Sequence, residues 1–488
     1  MAYTYADYQK MYAEKKRTLE QCLDMIQSGD HICFGKDCNE PKLFCEQLHT
    51  VAPRVEGVTV LKGRSCDFGF LQNDNIKGHI LTQSAFFSKG WDRPLQLGNC
   101  TFVPNDLRDQ PIWYNGANPR NTYIAAVTPM DENGNFQVNL SQMWERDIDP
   151  LSCKKIILEV NKNLKTILGG VDINIKDVDA FYEAEYPIYE IPDAPSSELD
   201  NKIGQYVAEL VHDGDTIQLG IGSLPNACAR NLMDKKDLGI HSEMFTNLMG
   251  TMVEKGIITG ARKNLNPGKH IFCFAGGTSH LFDMLHENPD CIIRPASYVT
   301  DPMIIKQNDN MVSINAIMEI DLTGQVCSET IGTRQYSGPG GAFDFAYGAA
   351  HSNGGRSILI MHSTTNKGQS KIKPILTPGA VVTIPRPYVD IVVTEYGIAH
   401  MRGQTVQNRV KNLIASVCGY GTMEETLDIA TQCEKAGADM LEVVGDYHDP
   451  KDLVDLVGGV KKAVKIPVIA KVNGNWTDTE KVAEYCQQ

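Results

Sequence analysis

The chain has no apolar run of the roughly eighteen residues that a membrane-crossing helix requires. Its opening stretch, MAYTYADYQKMYAEKKRTLEQ, carries charges where a signal peptide needs an apolar segment. These two absences lead to the expectation of a cytoplasmic protein that makes no membrane contact. An excess of positive charge is missing too, since 60 Asp and Glu outweigh 46 Lys and Arg for a net charge of −14. Nucleic acids and anionic membranes are polyanions, so a general affinity for either is excluded, and an anionic ligand must be held by local donors. The 14 cysteines include no C-x-x-C pair. No Cys/His cluster has zinc-ligand spacing either, so the thiols read as reduced and mostly buried and no metal site is expected.

At 488 residues the chain is too long for one ordinary core, and two or three domains are the default. Between Glu183 and Ser197 the run EAEYPIYEIPDAPSS carries Pro187, Pro192 and Pro195, which block both helix and central strand. Residues 187–197 therefore read as a linker between an α/β domain at 1–186 and a second at 198–416. The second opens with Ser197 and Asp200 spaced as a capping box, followed by Leu199, Ile203, Val207 and Leu210 on one helical stripe.

A weak internal repeat relates the two halves. Ser28-Gly29-Asp30-His31-Ile32-Cys33-Phe34-Gly35 echoes Asp213-Gly214-Asp215-Thr216-Ile217-Gln218-Leu219-Gly220, and each reads as a turn, a buried strand and a glycine exit. Lys155 to Val160 parallels Asp390 to Glu395 as a second pair of short β-rich runs. After about Ser416 the pattern changes. A strand over Leu413 to Val417, a helix opening at Thr422 with Glu425 as its capping partner, a strand at Ala438 to Val444, a second helix and a strand at Ile466 to Val472 amount to two or three βα units. A closed (β/α)₈ barrel needs eight, so residues 417–488 form a partial βα tail.

Three stretches have residues suited to chemistry. Gln218-Leu219-Gly220-Ile221-Gly222-Ser223-Leu224-Pro225 places G-x-G between a strand and a helix, where glycines let backbone amides approach a ligand oxygen. It is not a dinucleotide fingerprint, because Pro225 stands where the third glycine belongs. Glu243, within Gly239-Ile240-His241-Ser242-Glu243-Met244-Phe245, is a carboxylate at a strand exit. By composition alone such a glutamate is an ordinary surface residue. The turns Ala275-Gly276-Gly277-Thr278 and Ser337-Gly338-Pro339-Gly340-Gly341-Ala342 suit a site that clamps an extended ligand and aims amides at an oxyanion, or else they are tight βα turns.

Taken in order, GIHSEMF, FAGGTSHLFD, SETIGTRQYSGPGGAFDFAYGA and VVTEYGIAHMRGQTVQNRVKNLI resemble successive signatures of the acetyl-CoA hydrolase/transferase family of family I CoA-transferases. SGDHICFG and LEVNKN are similar too, so the resemblance spans about residues 8 to 415 in collinear order. Within that family the likeness is greatest to 4-hydroxybutyrate and butyryl-CoA:acetate CoA-transferases. It implies two tandem open α/β domains, an acyl-CoA and a short carboxylic acid as substrates, and no permanently bound cofactor. Coenzyme A is then both substrate and part of a covalent intermediate on Glu243. The resemblance further assigns coenzyme A and oxyanion contacts to Gly220, Ile221, Gly222, Ser223 and Leu224, to Thr300, and to Gly340 and Gly341, and it implies a homodimer or homotetramer.

Several positions depart from the family pattern. Asn247 and Leu248 stand where the family has an aspartate and a glycine after the glutamate, Thr300 where it has an asparagine, and Ala342 where it has a glutamine. These changes are expected to alter the acyl pocket or slow the reaction. His241 reads as structural, because an ionised carboxylate needs no general base. Glu395 is expected to end a buried strand in a paired state, and Arg334 and Arg356 are candidates for coenzyme A phosphates. The tail resembles a fragment of a dihydroorotate dehydrogenase-like barrel, with Lys471 on a strand like one that touches flavin there. Most of that cradle is missing, so flavin chemistry is not expected. Hydrolysis of acyl-CoA and non-catalytic coenzyme A binding are the alternatives to transfer.

Overall fold

A computed structural model describes residues 3–62, 69–88, 90–111, 119–145 and 153–417, together with 427, 430, 431, 434, 435, 441–445 and 458–472 in the C-terminal segment. The first lobe is built on β1 (His31–Phe34), β2 (Val58–Leu61), β3 (Ile80–Ser84), β4 (Cys100–Phe102) and β5 (Thr122–Val127), with β6 (Asn135–Val138), β7 (Lys155–Asn161), β8 (Val171–Asn174) and β9 (Ala180–Ala184) following. Seven of these form one parallel sheet in the order β4-β3-β2-β1-β5-β7-β9, while β6 and β8 pair antiparallel beside it. Every residue of β5 is buried. A parallel strand covered on both faces is apolar throughout, and TYIAAV meets that demand.

The second lobe begins with β10 (Thr216–Leu219), β11 (Gly239–Thr246), β12 (His270–Gly276), β13 (Cys291–Ile293) and β14 (Met311–Ala316). Short strands β15 (Glu319–Asp321), β16 (Val326–Cys327), β17 (Thr330–Ile331) and β18 (Arg334–Gln335) precede β19 (Arg356–Ile360), β20 (Ile372–Lys373), β21 (Ile391–Thr394) and β22 (Gly397–His400). The main sheet here runs β13-β12-β11-β10-β14-β19-β21-β22 and is parallel except for its last pair. Its first seven strands repeat the order of the first lobe, with β10 in the place of β1 and β11 in the place of β2. The repeat at Gly35 and Gly220 thus marks equivalent strand exits. The second proposed parallel is corrected, because the counterpart of β7 is β19 rather than β21, which matches β9.

The segment expected as a linker has no helix or strand over residues 187–197, and it lies along the second lobe, with Ile191 N–H donating to the Gly277 carbonyl at 2.8 Å. Ser197 and Asp200 form the expected reciprocal cap of the helix Glu198–Leu210. Ile203 and Val207 are buried, but Leu199 is 49% exposed, so the stripe starts one turn later than its spacing suggests. The lobes are stitched together where Leu140 and Gln142 exchange backbone hydrogen bonds with β12, Ala275 N–H to Leu140 O at 2.9 Å and Gln142 N–H to Cys273 O at 2.7 Å. Ala126, Leu140, Leu164 and Ile167 of the first lobe join one apolar core with Ile217, Ile240 and Phe272 of the second.

The expected strand over Leu413 to Val417 is instead the end of the helix Val406–Val417. Val410 and Leu413 fall on one face of that helix and are buried, a helical period that outweighs the local run of β-formers. In the tail, β23 (Leu441–Gly445) and β24 (Val468–Val472) pair in parallel, as βα units require. The expected helix start at Thr422 and Glu425 lies outside the described residues. Ala430, Val460 and Val464 pack in the same core cluster as Val410 and Leu413. Among the described residues no helix is long and apolar enough to cross a membrane.

Candidate active site at the lobe interface

Glu243 sits in the second half of β11, and its side chain opens into a cavity of about 360 Å³ between the lobes. The first lobe contributes Lys36 and Asp37 beyond β1, Phe86 and Phe87 beyond β3, Leu107, Gln110 and Met143. The second contributes Gln218, Gly220 and Ile221 beyond β10, Met244, Phe274, Asn315, and the turn Ser337 to Ala342. Ligands of open α/β sheets collect at the carboxyl ends of strands, and the cavity lies where the β1 and β10 exits face one another.

The turn at 337–341 is clasped by both lobes. Leu107 N–H donates to the Gly340 carbonyl at 3.1 Å, and a Cβ on Gly338 would fall 2.2 Å from the Ala85 carbonyl oxygen. Gly341 N–H donates to Oε2 of Glu243 at 2.9 Å. A Cβ on Gly341 would lie only 2.5 Å from that same oxygen, so only glycine brings its amide to the carboxylate. The helix Ala342–Ala350 begins directly afterwards, with Gly341 as its cap residue.

Burial pushes the Glu243 carboxyl up to about 7, the Gly341 amide pulls in the opposite direction, and the negative charge of Asp37 adds to the rise. Among the described residues no cation forms a salt bridge with Glu243. The group is a desolvated carboxylate held by one amide, in a wall made largely of Phe86, Met143, Met244 and Phe274. Beneath the β10 exit, Gln218 and Asn315 exchange reciprocal amide hydrogen bonds at 3.1 Å in each direction, which fixes both side chains.

The remaining expected site residues divide. Gly220 and Ile221 line the cavity, whereas Gly222 caps the helix Ser223–Arg230 at its exposed start, Ser223 is partly buried, and Leu224 is a core residue at 8% exposure. The Thr300 hydroxyl is not brought to the site. Thr300 is fully buried, its hydroxyl donates to the Ala296 carbonyl at 2.8 Å, and its methyl group faces Gly341. Asn247 accepts from Thr278 N–H at 2.8 Å and donates to Ile191 O at 3.1 Å, so it secures the Gly276-Gly277 turn and the interlobe segment rather than the cavity. Leu248 packs in the core.

His241 is completely buried, hydrogen-bonded through Nε2 to the Val299 carbonyl at 2.9 Å, and burial holds its pKa down near 3. It is neutral at working pH and structural. Glu395 accepts from the amide and hydroxyl of Ser363 at 2.9 and 2.7 Å. Neither arginine reaches the cavity: Arg334 pairs with Asp92, and Arg356, at the start of β19, pairs with Asp215 and donates to the Leu210 carbonyl.

Lys36 and Asp37 are the functional candidates that sequence reasoning missed. Glu145, buried and with its pKa raised to about 7 by burial, fixes their turn by accepting from the amides of Lys36 at 3.1 Å and Trp144 at 3.0 Å. The signal was available in the repeat, because the residues after Gly35 take the place of Ile221 and Gly222 after Gly220. Among the described residues no group of three or more metal-ligating side chains could hold an ion.

Residues 2–189 match the acetyl-CoA hydrolase/transferase N-terminal domain and residues 277–426 the acetyl-CoA hydrolase/transferase C-terminal domain. The chain is 37% identical over 408 residues to a succinyl-CoA:cyclohexane-1-carboxylate CoA transferase of Geobacter metallireducens, covering 83% of this chain and 93% of that protein. It is 35% identical over 411 residues to a 4-hydroxybutyrate coenzyme A transferase of Clostridium kluyveri, covering 84% and 95%. The crystal structure of RipA from Yersinia pestis superposes with a TM-score of 0.82 at 31% identity, covering 88% of this chain and 99% of that one.

Proposed function

Because the chain belongs to the acetyl-CoA hydrolase/transferase family, we propose that it moves coenzyme A between a short-chain acyl-CoA, butyryl- or 4-hydroxybutyryl-CoA, and a carboxylate such as acetate, with Glu243 as the group that carries the acyl moiety and then coenzyme A. The observation that supports this most is the Glu243 carboxylate held at 2.9 Å by the Gly341 amide inside the interlobe cavity.

A carboxylate is a poor nucleophile in water and a better one when desolvated and held against a thioester carbonyl, since thiolate is a good leaving group. In this reading Glu243 attacks the acyl-CoA carbonyl, the C–S bond breaks, and an acyl-glutamyl anhydride and free thiolate result. The thiolate then attacks the glutamyl carbonyl, the first acid departs as its carboxylate, and a glutamyl-CoA thioester remains. A second carboxylate runs both steps in reverse. One thioester replaces another, so the exchange is nearly balanced in free energy and consumes no nucleotide.

Each tetrahedral intermediate bears an oxyanion, and a pre-aimed donor is worth about 3 kcal/mol to such a charge. The Gly341 amide serves this role, with the amide of Ile221 across the cavity as the second donor. Both come from backbone, so they cost no side-chain reorganisation during the reaction.

Incubation of the purified chain with butyryl-CoA, with and without acetate, tests the proposal. Acetate-dependent formation of acetyl-CoA supports transfer, and thiol released equally without acetate identifies hydrolysis. Borohydride converts a glutamyl thioester to the alcohol, so the intact mass after treatment with acyl-CoA reports the covalent intermediate. Binding of coenzyme A with no mass change would reduce the protein to a coenzyme A binder.

A further inference from the structure

Lys36 is the sole basic side chain among the described residues that line the cavity. It is 2% exposed, and its ammonium lies 3.1 Å from the centroid of the Trp144 ring. No carboxylate among the described residues lies within salt-bridge distance of it. Glu145, the nearby anion, already accepts hydrogen bonds from the backbone amides of Lys36 and Trp144. A buried cation normally has an anionic partner, and a ring face replaces only part of the lost solvation. The ammonium thus holds hydrogen-bond capacity in reserve, next to the space in which an acyl group must lie.

We propose that Lys36 binds a second, distal carboxylate on the acyl group, so that thioesters of short dicarboxylic acids, of which succinyl-CoA is the simplest suitable length, are a substrate class of this cavity. The inference rests on the transferase reading of Glu243. The reacting carbonyl must lie against Glu243 and the Gly341 amide, and of the residues after β1 it is Asp37, not Lys36, whose charge is felt at Glu243. Lys36 therefore belongs to the far end of the acyl site rather than to the reacting centre. Phe86, Met143, Met244 and Phe274 supply apolar walls suited to the methylene groups that would join the two ends. Burial also pulls the Lys36 pKa well below its ordinary value, a shift that an arriving carboxylate would reverse.

The test measures kcat/KM for succinyl-CoA and for butyryl-CoA, each with acetate as acceptor. The wild-type chain is expected to favour succinyl-CoA, and in K36M the succinyl-to-butyryl ratio is expected to fall by about 30-fold or more, the usual effect of removing one partner of a buried charge pair. K36R, which restores charge, should recover part of that ratio. An unchanged ratio in K36M, or a wild-type chain that uses butyryl-CoA but not succinyl-CoA, would overturn this inference alone. A second arm needs no variant: with acetyl-CoA as donor, succinate should be used far better than monomethyl succinate, which has the same length without the distal charge. Equal use of the two acids overturns the inference as well. Absence of acetate-dependent transfer from any donor would remove the transferase reading and this one together.

Discussion

The amide nitrogen of Gly341 stands 2.9 Å from Oε2 of Glu243, joining residues 98 positions apart. The absence of a side chain at 341 allows this approach, and the contact brings the β11 carboxylate to the start of the helix Ala342–Ala350. Each prediction below depends on that pairing or on the packing that holds it.

Gly341→Ala places a methyl group 2.5 Å from the carboxylate oxygen. The turn must withdraw, and the amide is lost to both the nucleophile and the oxyanion. Removal of one such donor typically lowers kcat by a factor of about 100 to 1,000. Steady-state kinetics with butyryl-CoA and acetate should show that loss, while circular dichroism of the variant stays that of the parent.

Glu243→Gln keeps the shape and removes the nucleophile. Acetate-dependent transfer should disappear, and no mass change should follow acyl-CoA and borohydride. The folded carboxyl titrates near 7, above the ordinary glutamate value, so the folded state binds an extra proton between the two pKa values. The contribution of this group to stability is therefore complete at low pH and is lost as pH rises through 7. Glutamine, always neutral, escapes that loss, so the gain in Tm on substitution should be larger at pH 8 than at pH 5. A gain that is the same at both values would show that Glu243 is not desolvated.

The same shift sets the pH profile of the reaction. Only the ionised carboxylate attacks, so kcat/KM for acyl-CoA should rise tenfold per pH unit below about 7 and level off above it. A profile already flat from pH 5 upward would contradict the burial of Glu243 in the working enzyme.

Thr300→Val removes a hydroxyl that donates to Ala296 O rather than to the cavity. The expected result is a stability loss of about 1 kcal/mol, seen in the denaturation midpoint, with kcat changed less than tenfold. A loss of kcat as large as that of Gly341→Ala would return Thr300 to the oxyanion site.

Removal of residues 418–488 takes Ala430, Val460 and Val464 away from the cluster that contains Val410 and Leu413. Each large aliphatic side chain returned to water forfeits about 1.5–3 kcal/mol. The truncated chain should therefore show a lower Tm and a tendency to associate, measured by light scattering. No described residue of the tail lines the cavity, so the soluble fraction should retain kcat. Full thermal stability after truncation would mean that the tail packs without consequence.

Signals confined to one element were legible in the sequence. The capping pair Ser197 and Asp200 depends on residues three apart, β10 and its glycine exit on a single short run, and the conspicuous setting of Glu243 on the block around it. Even the duplication showed through at Gly35 and Gly220, because equivalent turns impose equivalent local demands. Where local signals compete, as at Leu413 to Val417, the burial of one helical face decided the outcome.

What tertiary structure alone decided concerns groups far apart in the chain. Lys36 and Asp37 reach the cavity of Glu243 because the two sheets present their β1 and β10 exits to each other, and no residue pattern near position 36 records this. Thr300 stands close to Gly341, yet its hydroxyl turns to Ala296, since a buried donor takes the nearest carbonyl available. Backbone periodicity and turn chemistry act over a few residues and are written locally. The direction in which a side chain spends its hydrogen bond, and the pKa it acquires by leaving water, depend on every element packed around it.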